Sequence, residues 1–277
     1  MREDCSLADE TPLQDPSRDQ AQAQAELETT EQRPEITPPT IEKRALVVVA
    51  HPDDAEFSCG ATAAKWARDG WEVSFLIVTD ATGGGDDHAT DVGPEARKVI
   101  ADTRKAEQRA AAEALGVGNV EFLDYPDGRI EPTLELRRDL VRVMRRLRPW
   151  IVVCPSPERR WDPFFIGRHH PDHLAVGVAT SAAVYPAVRN AWDFPELLDE
   201  GLREWRVHEL WIVGAPISNH YVDVTDTVDA KIEALRAHQS QLGNHFTEVE
   251  RSVRRGLAML GARHGVASAE EFHRVVM

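Results

Sequence analysis

The sequence predicts an α/β fold built on a mostly parallel sheet. Three observations carry that reading: short apolar or β-branched runs alternate with longer helix-like segments, glycine closes several of those segments, and polar loops follow the runs. Ala45 to Ala50 is the unbroken apolar run that a strand buried on both faces requires. A helix over Phe57 to Asp69, ended by Gly70, precedes a strand from Glu72 to Thr79 that is rich in β-branched and aromatic residues. A polar loop, Asp80 to Val92, leads into a long helix from Pro94 to Leu115, stopped by Gly116. Val120 to Leu123 reads as a short strand, Leu134 to Leu147 as a helix and Trp150 to Cys154 as another buried strand. Leu174 to Tyr185 reads as a helix and Glu209 to Val213 as a later strand. The expected architecture is Rossmann-like and doubly wound, with helices on both faces. Its site belongs at the C-terminal strand ends, in the loops after Ala50, Thr79, Leu123 and Cys154.

The formal net charge is −15, and the first 40 residues hold ten acidic against three basic side chains. That segment has almost no large apolar residues, so residues 1–43 are expected to form a disordered acidic tail ahead of a single domain, 44–277. Acidity throughout excludes a phosphate-binding nucleic-acid surface and argues against anionic lipid. No apolar stretch approaches the roughly 20 residues that cross a bilayer, and no secretory core is visible. Cys5, Cys59 and Cys154 offer no disulfide framework, which makes a reducing cytoplasm the expected compartment. Oligomeric state stays open, with a homo-oligomer among the options.

Two histidine–proline–aspartate clusters carry the chemistry. The first, His51-Pro52-Asp53-Asp54-Ala55-Glu56, directly follows the first strand. One tight turn can aim His51 and Asp54 at a common point, and such a nitrogen and oxygen donor set suits Zn²⁺. The second, His169-His170-Pro171-Asp172-His173, repeats the three-residue spacing between His170 and His173, and Asp172 can orient an imidazole. Either alone could be a helix cap. Two of them, each at a strand-to-helix junction, are much harder to explain as caps and point to function.

On these residues the sequence resembles the LmbE-like or PIG-L-type deacetylases, which include de-N-acetylases of N-acetylglucosaminyl compounds and mycothiol-pathway enzymes. The likeness extends to Arg104 and Glu107 in the long helix and to Lys231, Ala234, His238, Ser240 and Gln241. It implies that His51, Asp54 and His173 bind one Zn²⁺ per chain, with Fe²⁺ as the other candidate. Asp53 would be the general base toward zinc-activated water, and His170 would stabilise the oxyanion. Asp172 would hold the proton and tautomer of His170. The final proton donor, Asp53 or His170, is left open. Arg104 matches a substrate-contacting arginine, its alternative being a solvated helix residue.

The loop Thr79-Asp80-Ala81-Thr82-Gly83-Gly84-Gly85 departs from the family pattern, with Asp80 in place of an arginine and glycine in place of a glutamate. Its three glycines imply a mobile or closely approaching backbone. Trp161, beside Arg159, Arg160, Asp162 and Phe164, is a candidate for stacking on a sugar, or else a core pin for its loop. Asp127 could reach a hydroxyl or simply form a turn, and His238 could touch substrate or simply pack. The expected activity is removal of an N-acyl group, acetyl first, from a small N-acetylated amino-sugar conjugate. The alternatives are a mycothiol-conjugate-type amidase and a non-catalytic sugar- or metal-binding protein. A nicotinamide enzyme lacks its glycine fingerprint here.

Overall fold

The computed structural model describes residues 40–86, 88–159, 161 and 169–277. The expected acidic tail up to residue 39, and Asp87, Arg160, Asp162 and Phe164, lie outside the described residues. The strands are β1 (Arg44–Val49), β2 (Glu72–Thr79), β3 (Asn119–Tyr125), β4 (Ile151–Pro155), β5 (Glu209–Val213), β6 (His220–Asp223) and β7 (Ala269–Val276). They form one sheet in the order β3-β2-β1-β4-β5-β7-β6. Neighbours from β3 through β5 are parallel, and β7 runs antiparallel between β5 and β6.

The helices are α1 (Asp54–Arg68), α2 (Pro94–Leu115), α3 (Leu134–Leu147), α4 (Pro171–Val184), α5 (Glu196–Asp199), α6 (Val228–Arg236), α7 (Gln239–Leu242) and α8 (Phe246–His264). Successive side chains of a strand face opposite ways, and β1 uses both faces. Leu46, Val48 and Ala50 pack with Leu136, Leu140 and Met144 of α3 and with Val176 and Ala179 of α4. Ala45, Val47 and Val49 pack with Ala55, Cys59 and Ala63 of α1 and with Ala111 and Leu115 of α2. After β1 the chain builds β2 and β3 on one side and returns to place β4 on the other. The crevice at this reversal lies above the ends of β1 and β4, where open α/β sheets bind ligands. Gly177 lets α4 settle there, because a Cβ at that position would stand 2.6 Å from the Pro155 carbonyl oxygen.

Both site helices begin three residues earlier than the hydrophobic pattern indicates, at Asp54 and Pro171. The reason is shared: a proline–aspartate turn feeds directly into each helix. Helix α1 is broken at Cys59 (φ −146°, ψ 24°). The groups the break leaves without helical partners are met from the other end of the chain. Lys231 Nζ donates to the Phe57 carbonyl (2.9 Å), while Glu270 accepts from the amides of Ala61 (3.2 Å) and Thr62 (2.8 Å). The two side chains pair with each other at 2.7 Å, fully inside the protein. Such a pair is tolerated because each charge also satisfies backbone groups.

Candidate metal centre and active site

The turn after β1 runs through Asp53 at φ 85°, ψ −25°. This left-handed region is one that aspartate enters more readily than most L residues. The reversal turns Asp54 back toward the strand end, where its Oδ2 accepts from the His51 amide at 2.8 Å. On the facing side His170 caps α4, its Nδ1 accepting from the Asp172 amide at 3.2 Å, and Pro171 occupies the first helical position. His173 follows one turn in.

Three donor atoms then meet across the crevice. His51 Nδ1 lies 3.3 Å from His173 Nε2 and 3.4 Å from Asp54 Oδ2, and His173 Nε2 lies 3.1 Å from Asp54 Oδ1. Zinc bonds of about 2.0–2.1 Å at tetrahedral angles separate adjacent ligand atoms by about 3.3–3.4 Å. The spacing and the two-nitrogen, one-oxygen donor set therefore fit a small divalent cation. Burial opposes ionisation of Asp54, but His173 and His51 outweigh it and hold the carboxyl well below the usual range.

The far side of the His51 ring is fixed by two carboxylates. Its Nε2 lies 3.1 Å from Asp172 Oδ2 and 3.2 Å from Asp127 Oδ1, so Nε2 carries the proton and Nδ1 faces the donor cluster. Burial alone would push the His51 imidazolium down, but Asp127, Asp172 and Asp54 raise it to about 11. A bound cation must therefore displace a proton.

The Asp53 carboxylate faces Arg104. Arg104 Nη2 stands 3.8 Å from its Oδ2, and Arg104 Nη1 stands 3.8 Å from Asp127 Oδ2. Burial and the neighbouring Asp54 charge push the Asp53 carboxyl up to about 7, against the pull of Arg104 and His238. The arrangement places a carboxylate of near-neutral pKa beside a three-donor metal cradle, the equipment of an assisted hydrolysis.

Comparison with known proteins gives this geometry a family. The PIG-L profile, described as GlcNAc-PI de-N-acetylase, matches residues 46–184, half of the chain and nearly all of the site. The chain belongs to the PIG-L family. Diacetylchitobiose deacetylase of Thermococcus kodakarensis is 30% identical to it over 78% of this chain and 77% of that protein. A 1D-myo-inositol 2-acetamido-2-deoxy-alpha-D-glucopyranoside deacetylase of Rhodococcus jostii is 30% identical over 73% of this chain and 82% of the relative. Among solved structures, N,N'-diacetylchitobiose deacetylase of Pyrococcus horikoshii superposes with a TM-score of 0.75 at 27% identity, covering 84% of each chain.

Within this PIG-L chain the expected ligands His51, Asp54 and His173 do converge, as do the loops after β1, β2, β3 and β4. Several other expectations need correction. Asp172 does not hold His170 through its side chain: its fully buried carboxylate accepts from His51, from the Gly128 amide (2.8 Å) and from the Ile130 amide (3.1 Å). Its hydrogen bond to His170 is made by the backbone amide. Asp127 is engaged by His51 through Oδ1 and by the Gly83 amide at 3.0 Å through Oδ2. His238 is 1% exposed and sits 3.3 Å from Glu56, leaving no surface for substrate. Arg104 is 5% exposed and donates to the Pro52 carbonyl at 3.1 Å, so it is not the solvated arginine of a helix face. Trp161 is 71% exposed, which removes the core-pin alternative.

The glycine loop is explained by close approach. A Cβ on Gly83 would stand 2.9 Å from the Asp127 carboxyl carbon, and one on Gly84 2.2 Å from Arg104 Nη1. Gln241 Nε2 ties the Gly84 carbonyl down at 2.9 Å, and Ser240 beside it is held by Glu107, its amide 2.7 Å and its hydroxyl 2.6 Å from the carboxylate. Sequence reasoning missed Gln108 altogether. The available signal was its spacing of one helical turn from Arg104.

Proposed function

We propose that this PIG-L family member is a metal-dependent hydrolase that removes an N-acyl group, acetyl first, from an amino-sugar-containing small molecule. The observation that carries the proposal is the adjacency of Asp53 to the cradle of His51, Asp54 and His173. The relatives named above, both deacetylases of acetylated amino sugars, support the substrate class. The donor set favours zinc over softer or larger ions. When bound, the cation supplies Lewis acidity toward the amide carbonyl and toward water.

The chain's own residues do the rest. Asp53, as base, accepts the proton of the attacking water, and as the amide C–N bond breaks a proton passes from Asp53 or His170 to the leaving amine. His170 uses Nδ1 as an acceptor, so its remaining proton is on Nε2 and is available to the developing oxyanion. Burial lowers the His170 pKa, which favours the neutral ring that this task needs. Asp172 and Asp127 hold His51 in the tautomer that directs Nδ1 to the cation.

Release of acetate should be measured on a panel containing diacetylchitobiose, N-acetylglucosaminyl-inositol and acetylated thiol conjugates. Asp53→Asn should retain the cation and lose about 10²–10⁴-fold in turnover. Asp53 works only when deprotonated, so activity falls as pH falls through its pKa. The acid limb should lie between the ordinary 3.8 and about 7, the cation pulling it below the upper value. A fully active Asp53→Asn variant overturns the assignment of the base. Turnover confined to thiol conjugates would favour the amidase reading.

A further inference from the structure

The peptide group joining Pro52 to Asp53 is held at both polar ends by one helix. Arg104 Nη2 donates to the Pro52 carbonyl at 3.1 Å, and the Asp53 amide donates to Gln108 Oε1 at 2.9 Å. Arg104 and Gln108 are one turn apart on α2 and therefore share a face. On its other side, Asp53 is fixed by α1, where the Phe57 amide donates to the Asp53 carbonyl at 3.0 Å. The plane of the Pro52–Asp53 peptide relative to the Asp53 Cα is the φ angle itself. Holding that plane against α1 fixes φ at +85°, and with it the direction of the Asp53 side chain.

The acceptor end of Gln108 is also fixed. Its Nε2 donates to Glu56 Oε1 at 2.7 Å, and a carboxylate oxygen can only accept. The amide therefore presents its oxygen to Asp53. Gln108 and Glu56 are both 0% exposed, and His238 closes the row with Nε2 3.3 Å from Glu56 Oε2. An uncharged, fully buried amide that joins a strained turn to an interior acid needs a reason, and the turn supplies one.

Resting on the reading of Asp53 as base, we infer that Gln108, oriented by Glu56 and acting together with Arg104, is a positioning residue that holds the Asp53 backbone in its left-handed conformation. It touches neither substrate nor cation, so its loss acts on turnover. Gln108→Leu should lower kcat about 10–100-fold, the effect of losing an orienting partner, with KM and metal content unchanged. The Asp53 amide, followed by NMR, should exchange faster in that variant while the amides of β1 keep their protection.

Gln108→Glu alone keeps an acceptor for the Asp53 amide but sets two carboxylates against each other, and the exchanged pair Gln108→Glu with Glu56→Gln supplies again the donor that orients it. It should recover most of the kcat lost by Gln108→Glu alone, and it decides the matter if Gln108→Leu does not fold. Wild-type kcat and amide protection in Gln108→Leu would overturn the inference. So would joint loss of kcat, KM and metal, or an exchanged pair no better than the single variant. Asp53→Asn measured alongside separates the two claims. If it is active, the base is misassigned; if it is dead while Gln108→Leu is normal, only the grip on the turn is wrong.

Discussion

The two histidine–proline–aspartate turns use the same three residues for opposite purposes. After β1, the histidine, His51, joins the candidate donor cluster, and the first aspartate, Asp53, faces Arg104 in a left-handed conformation. Before α4, the histidine, His170, becomes a helix cap, and the aspartate, Asp172, is buried completely against His51 and two loop amides. Backbone conformation, not composition, separates the proposed base from the anchor. A left-handed aspartate is turned away from the helix it precedes, whereas an aspartate inside the first helical turn is drawn to whatever donors lie beneath it.

The strongest way to break this comparison is to remove the one donor the second turn contributes to the cradle. His173→Ala should release the cation and reduce turnover by more than the roughly 10²–10⁴-fold that losing a proton-transfer group costs. Metal analysis and acetate release read both effects. Retained metal with full activity would mean that the two turns do not meet at one ion. Asp172→Asn tests the anchor. All three groups around that carboxylate donate, so an amide NH₂ must face one of them, and cation affinity should weaken about 10–100-fold with the fold intact. Competition with a chelator measures it. The smallest effect is expected from Gly177→Ala. It sets a methyl group against the Pro155 carbonyl and should cost about 1–3 kcal/mol, seen as a lower urea midpoint.

Much of the frame was legible because its signals are local. The run Ala45 to Ala50 reads as a buried strand since both of its faces are covered, and the ends of α2 and α3 follow from Pro94, Gly116 and the Leu134 to Leu147 pattern. Strand β7 was not legible. Its Glu270 is interior because Lys231 and the amides of Ala61 and Thr62 meet it, and its Arg274 is neutralised by Glu209 on β5, so a polar-looking stretch pairs within the sheet.

Helix α8 and the short β6 were likewise absent from the sequence reading. At the site, the residue types were readable, and the resemblance supplied the trio His51, Asp54 and His173 that the fold brings together. The partner of Asp172 was not readable, because His51 lies 121 residues away and only the folded sheet brings them together. The assignment of Asp172 to His170 followed sequence proximity, which is why it failed.

The break in α1 ties the order of assembly to the end of the chain. The helix that opens with Asp54 cannot satisfy its own interior polar groups at Cys59 until Lys231 and Glu270 arrive. During synthesis these are made about 170 and 210 residues later, at ribosomal speeds of about 5–20 residues per second. For most of translation the helix that leads out of the candidate site is thus a half-built arch, and its keystone is the last strand.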